Sequence, residues 1–221
     1  MIRYHTTWGV LCQIVMLLAV VIQGCKSGQE SVTGQAAFYF DLDAFPAGGV
    51  TYFYENKLDS LANPEIWHYE KSAPGHLTSI NYDPQGRIVQ KQFDRIVGNG
   101  VLTDSLVLYA YDSTGTEQRI PVKVIANNRL PFDAVDSTKV WLMQLDWQQP
   151  KDSLHCVLER RRRFLGYTEW MFNGKKLPAA RFRTEDKFET ERDGWTTSVW
   201  NGEEIYARSL GLVYYKRKIS E

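Results

Sequence analysis

Cysteine and histidine are scarce in this 221-residue chain, with three and four respectively. No Cys-x-x-Cys or His-x-x-x-His spacing occurs, so no metal site of familiar pattern is expected. Charge of one sign is also missing: 26 Lys+Arg stand against 26 Asp+Glu. That balance argues against a nucleic-acid partner, which usually calls for a basic excess. No Gly-x-Ser-x-Gly elbow, Walker loop or Gly-x-Gly-x-x-Gly turn is present, so neither a hydrolase triad nor a nucleotide cofactor is indicated. What the chain does have is core-forming material, 43% apolar and 13% aromatic residues. That is enough for one folded domain.

The only long apolar run lies at the N-terminus, from Trp8 to Ile22, behind Arg3 and broken by Gln13. A positive start followed by such a run reads as an export signal. It falls short of the ~20 residues a membrane-spanning helix needs. Ile22-Gln23-Gly24-Cys25 then resembles the lipobox of bacterial lipoproteins, with Gln23 departing from the usual small residue. A small residue fits the peptidase beside the scissile bond, and the Cys25 sulfur is the nucleophile that takes the diacylglyceryl group. The resemblance implies residues 1–24 as signal peptide, Cys25 as lipidated N-terminus (thioether-linked diacylglycerol plus an amide-linked palmitate-type chain), and 25–35 as a polar tether. More than one acyl chain gives firm anchoring. Lys26 stands where an inner-membrane retention Asp would be, and only Glu30 is acidic before residue 36. The expected place is therefore the outer membrane, facing the periplasm. Cleavage removes Arg3 and Cys12, leaving a charge of −1 and Cys156 as the one free thiol. No intrachain disulfide is then possible, and Cys156 is expected to be buried and inert.

From Ala36 onward the dominant period is two. Ala180, Phe182, Thr184, Asp186, Phe188 and Thr190 share one face, with Arg181, Arg183, Glu185, Lys187, Glu189 and Glu191 on the other. Trp141, Met143, Leu145 and Trp147 likewise share a face. Turn signals recur at Asp83-Pro-Gln-Gly86, Asn99-Gly100, Asn173-Gly174, Asp193-Gly194 and Asn201-Gly202. Strands are expected at 50–55, 66–71, 77–82, 87–97, 101–111, 120–126, 140–147, 155–167, 180–191, 195–200 and 212–218, and one helical turn at 59–63. The fold class predicted for 36–221 is all-β: a single antiparallel, strongly curved sheet or half-barrel built from consecutive hairpins, with very little helix.

Two features are candidates for sites. Asp-Ser recurs, placing Ser60, Ser105, Ser113, Ser137 and Ser153 each after Asp and before Leu or Thr. One account is a turn device, because Asp and Ser bond their own backbone. The other is resemblance to the O-glycosylation sequon of some Gram-negative exported proteins. The second feature is Arg160, Arg161, Arg162 and Arg163, alternating between two strand faces. Neither face there is apolar, so this stretch is expected at an edge or beyond the core. It either contacts phosphate head groups or an acidic partner, or pairs across the sheet with the acidic 185–191 region. The pairing is preferred. His68 and His76 flank a hairpin and read as ordinary polar positions, as does His155.

Phe38-Tyr-Phe-Asp-Leu42 with Gly49-Val-Thr-Tyr-Phe-Tyr54, and the closing stretch from Glu204 to Tyr215, resemble the two ends of exported lipoproteins of unknown function. That group is broadly similar to the LolA/LolB-like half-barrel carriers, which hold acyl chains on a concave face. The resemblance brings no ligand residue with it. The expectation is a membrane-anchored, non-catalytic binding or interaction module of the bacterial envelope, without a cofactor. Its partner would be an envelope protein. The alternative is a periplasmic carrier of a hydrophobic or acyl ligand; an enzyme ranks last.

Overall fold

The computed structural model describes residues 36–39, 45–56, 62–133 and 136–220, all within the unit formed by residues 34–221. One short helix, α1 (Ala36–Tyr39), precedes eleven strands. They are β1 (Val50–Tyr54), β2 (Glu65–Ala73), β3 (His76–Tyr82), β4 (Ile88–Val97), β5 (Gly100–Tyr111) and β6 (Glu117–Pro131), then β7 (Trp141–Gln148), β8 (His155–Phe172), β9 (Lys175–Glu191), β10 (Trp195–Ala207) and β11 (Gly211–Ile219). Each pairs antiparallel with the next, giving one sheet in sequence order. The sheet curls into a half-barrel. Every strand expected from the period-two pattern is present, several extended at their ends.

Curvature has local causes. Bulges interrupt the ladders at Phe93/Asp94, Phe164/Gly166 and Ile205/Tyr206, and each adds twist. The first and last strands share no backbone ladder among the described residues, yet side chains join them. The Tyr54 hydroxyl donates to the Leu212 carbonyl at 3.1 Å, and the Tyr54 and Tyr215 rings meet edge-on at 5.8 Å. The Tyr215 hydroxyl donates to the Glu65 carboxylate. These contacts hold together the two edges that an open sheet would leave free.

The concave face carries two apolar clusters. One is aromatic: Phe38 and Tyr39 of α1 pack with Tyr69, Phe164, Phe182 and Tyr206 around Leu77, Val101 and Leu130. Tyr39 contacts Phe132 beyond β6, Phe182 on β9 and Tyr206 on β10, so α1 wedges between opposite walls. The other cluster is aliphatic, with Leu106, Val122, Met143 and Leu145 flanked by Trp147 and Leu158. Fully burying a ring such as Phe182 contributes on the order of 1.5–3 kcal/mol.

Three expectations need correction. Asn201-Gly202 is not a turn but lies in the middle of β10. Its glycine serves a close approach, since a Cβ there would stand 2.5 Å from Thr184 Oγ1 and 2.6 Å from the Lys216 carbonyl. Residues 36–39 form a helical turn that the period-two reading from Ala36 onward did not include, and it turns both Phe38 and Tyr39 into the core. The four arginines do not sit at an edge. β8 lies between β7 and β9, and Arg162 is only 4% exposed. The expected helical turn at 59–63 falls mainly outside the described residues, as do residues 1–35. Among the described residues no helix is long and apolar enough to cross a membrane.

Candidate functional site

β8 presents its arginines alternately. Arg160 and Arg162 enter the concave face; Arg161 and Arg163 stand on the convex face. Inside, Arg160 clamps Asp186 of β9 with two hydrogen bonds, both 2.7 Å, from Nε and Nη2. Arg162 donates from Nε and Nη2 to Glu204 Oε2 of β10, at 3.0 and 2.8 Å. The Tyr206 hydroxyl donates to the same oxygen at 3.0 Å. Arg162 also donates through Nη1 to the Arg129 carbonyl of β6.

The network continues to both sides. Arg129 donates to Asp94 of β4, and at 2.8 Å to Ser79 Oγ of β3. Asp94 further accepts from Gln92 at 2.8 Å and Thr103 at 3.0 Å. At the other end Arg217 of β11 stands 3.6 Å from Asp186, and Arg160 is 4.0 Å from Glu204. A chain of polar contacts thus crosses the inner wall from β3 to β11. Most members keep the inward phase of their strands through the alternation of side chains, whereas Arg129 turns inward after an irregularity between Val124 and Ala126 that shifts the phase set by Ile120, Val122 and Val124.

A cavity of about 300 Å³ lies against this chain. Arg129, Arg160, Arg162 and Arg217 border it together with Glu65, Glu204 and the tyrosines Tyr54, Tyr69, Tyr206 and Tyr215. Leu106, Met143, Leu145 and Leu158 form an apolar wall.

Electrostatics fix the protonation of the chain. Burial alone would raise the Glu204 carboxyl, but the Arg162 and Arg160 guanidiniums, with hydrogen bonds from Arg162 and Tyr206, outweigh it and hold Glu204 down at about 2. Burial works against a charged Arg162, and its charged neighbour Glu204 reverses that, keeping the guanidinium firmly protonated. Burial pushes the Tyr206 phenol up, with the Glu204 charge adding to it. Glu204 is therefore an anion at any physiological pH and no proton donor. Clamped in this way, Glu204 fixes geometry and charge on the inner wall. Among the described residues, the buried Tyr39 Oη and Trp147 Nε1 find no hydrogen-bond partner.

The remaining predicted positions separate. Cys25 and Ser60 lie outside the described residues. Ser113, Ser137 and Ser153 are exposed in turns where the preceding Asp112, Asp136 and Asp152 carboxylates accept from backbone N–H groups. Ser105 is exposed on β5 beside Asp104, the residue left over at the Phe93/Asp94 bulge. Cys156 is buried, free and 1% exposed, and burial raises its thiol pKa. His68 and His76 do not converge: His68 meets Thr51 and His76 meets the Pro74 carbonyl. His155 bonds Asp146 at 3.0 Å, and among the described residues no group of three His, Cys, Asp or Glu converges as a metal site.

Sequence reasoning missed Asp94, Arg129 and Glu204 as inward polar groups. For Glu204 a signal was present, the phase it shares with Tyr206 two positions on; Arg129 lies out of phase with Ile120, Val122 and Val124, so alternation alone did not mark it. No known protein family, curated protein or solved structure matches this chain.

Proposed function

We propose that this chain is a lipid-anchored binding or interaction module of a bacterial envelope, exported by residues 1–24, acylated at Cys25, and acting without catalysis. The reading places it on the outer membrane facing the periplasm. The observation that carries the non-catalytic part is the chain of arginine–carboxylate pairs across the concave face. An acyl carrier needs a continuous apolar lining, and an acid–base enzyme needs a carboxyl poised near neutrality. Here Glu204 is held ionised, and Asp186 and Asp94 are each taken up by arginines. The half-barrel is then a rigid scaffold whose inner face is structural.

The apolar wall of Leu106, Met143, Leu145 and Leu158 favours the second reading, a carrier for a hydrophobic ligand. One experiment separates the two. Full-length protein is expressed in bacteria fed labelled palmitate, purified, and extracted with organic solvent. The binding-module reading expects covalent label that is lost in Cys25→Ala and no stoichiometric lipid in the extract. One equivalent of extractable acyl lipid selects the carrier. Absence of covalent label from the intact chain removes the anchor.

A further inference from the structure

On the convex face, Arg163 of β8 and Arg183 of β9 stand directly opposite each other. Like charges in register across two strands repel and destabilise the ladder. Among the described residues no nearby carboxylate compensates. The Glu203 carboxylate, in register with Arg183 on β10, bonds Arg181 at 3.0 Å instead. Glu185 lies 3.5 Å from Arg161, which Glu159 also holds at 2.8 Å. The other described arginines are in ion pairs or, like Arg208 over Phe38, against an aromatic ring. Arg163 and Arg183 have neither among the described residues.

These two arginines border a groove of about 450 Å³, with Arg161, Glu185, Asn201 and Val140 completing its sides. Arg162 also touches it, though its guanidinium is engaged on the inner face. The volume falls within the ~300–1,000 Å³ of small-molecule sites. Three guanidiniums against the Glu185 carboxylate and the Glu159 carboxylate beside Arg161 leave the groove cationic by one charge, on the side of Arg163 and Arg183. Planar forks match phosphate oxygens two at a time, and an anion between Arg163 and Arg183 would turn their repulsion into attraction. Glu185 and Asn201 add what a bare anion does not need: a carboxylate that accepts from hydroxyls, and an amide that both donates and accepts. Val140, 44% exposed, offers a small apolar surface.

We infer that this groove is a binding site for a phosphate ester bearing free hydroxyls, held by Arg161, Arg163 and Arg183 and oriented by Glu185 and Asn201. The inference rests on the reading of the chain as a binding module and supplies its ligand class. The same chemistry occurs in free glycerol or sugar phosphates and in the head group of phosphatidylglycerol.

The test is calorimetric titration of the detergent-solubilised full chain with inorganic phosphate, glycerol 3-phosphate, glycerol, dihexanoylphosphatidylglycerol and dihexanoylphosphatidylcholine. Glycerol 3-phosphate is expected to bind more tightly than inorganic phosphate, and glycerol and the choline lipid not at all. Binding of the phosphatidylglycerol identifies a lipid head group as the source; binding of the monoester alone identifies a free metabolite. Arg163→Gln and Arg183→Gln should each weaken binding by about tenfold, the loss of one charge-assisted contact. Arg183→Glu should abolish binding while raising the thermal midpoint, because it gives Arg163 a cross-strand partner. A structural role for Arg183 predicts the reverse shift in midpoint. Folded protein that binds none of the phosphates, or binds them unchanged in these variants, overturns the site. So does groove-dependent binding of polyglutamate in their place. Extractable acyl lipid would overturn the binding-module reading without touching this result.

Discussion

Arg160 and Arg162 differ from Arg161 and Arg163 in everything but chemistry. The inward pair is largely withdrawn from water and clamped by Asp186 and Glu204; of the outward pair, Arg161 meets half-buried Glu159 and exposed Glu185, and Arg163 meets another arginine. One residue type on one strand thus takes two roles set by the parity of its position. Inside, the cost of removing charge from water is recovered only because the hydrogen-bonding is nearly complete, so the pairs fix which arrangement forms more than they add stability. Outside, solvent screens the charges and leaves them free to meet a ligand.

Breaking the inner pairs should have the largest effect. Glu204→Leu leaves Arg162 buried without its carboxylate and is expected to cost about 3–5 kcal/mol in urea unfolding. Adding Arg162→Leu should restore much of that loss, since two apolar side chains replace a desolvated pair. A double variant as unstable as the single would mean that the arginine does more than neutralise Glu204. Phe182→Ala, at a position 0% exposed in the aromatic cluster, should also cost about 3–5 kcal/mol. It sharpens the contrast because its cost should not vary with pH.

The ion-paired chain should depend on pH in a defined direction. Glu204 has a folded pKa of about 2 against an ordinary 4.5. Its contribution is full above about 4.5 and is lost as pH falls through that value toward 2. Glu204→Gln should flatten the acid limb of a stability profile over that window; an unchanged limb would contradict the assignment. The smallest effect belongs to the convex side. The hydrogen bond to Asp146, helped by Glu191 and opposed by slight desolvation, raises the His155 pKa above 6.5. Its stabilisation is present below 6.5 and fades as pH rises through the raised value. His155→Gln should remove a shallow slope there, visible as thermal midpoints that no longer decline across that range.

The strands were legible because alternation is a local property, carried by residues two apart. The 180–191 segment shows this: of the six residues expected on one face, Ala180, Phe182, Thr184 and Asp186 are buried and Phe188 and Thr190 half-buried. The same segment shows where legibility ends. The preferred pairing of the arginine run with the 185–191 region is present as Arg160–Asp186 and Arg161–Glu185, but that Asp186 also meets Arg217, from a strand on the far side of β10, is something no local pattern gives. Reading the arginine run as lying outside the core followed from treating charge as exposed, and the buried carboxylates opposite defeat that rule. Asn201-Gly202 misled for a related reason. The dipeptide suits a hairpin turn, and only the proximity of Thr184 and Lys216 reveals why glycine is needed within a strand. The groove on the convex face was half legible: the run named Arg161 and Arg163, but Arg183 joins them only through the β8–β9 register.

The claim that parity on β8 divides structure from recognition is tested most directly by substituting Arg160, Arg161, Arg162 and Arg163 singly with Gln and measuring the urea midpoint of each. The account predicts an alternating result, with large losses at Arg160 and Arg162 and changes within about 0.5 kcal/mol at Arg161 and Arg163. Equal losses at all four positions, or a loss at Arg163 as large as that at Arg162, would contradict it.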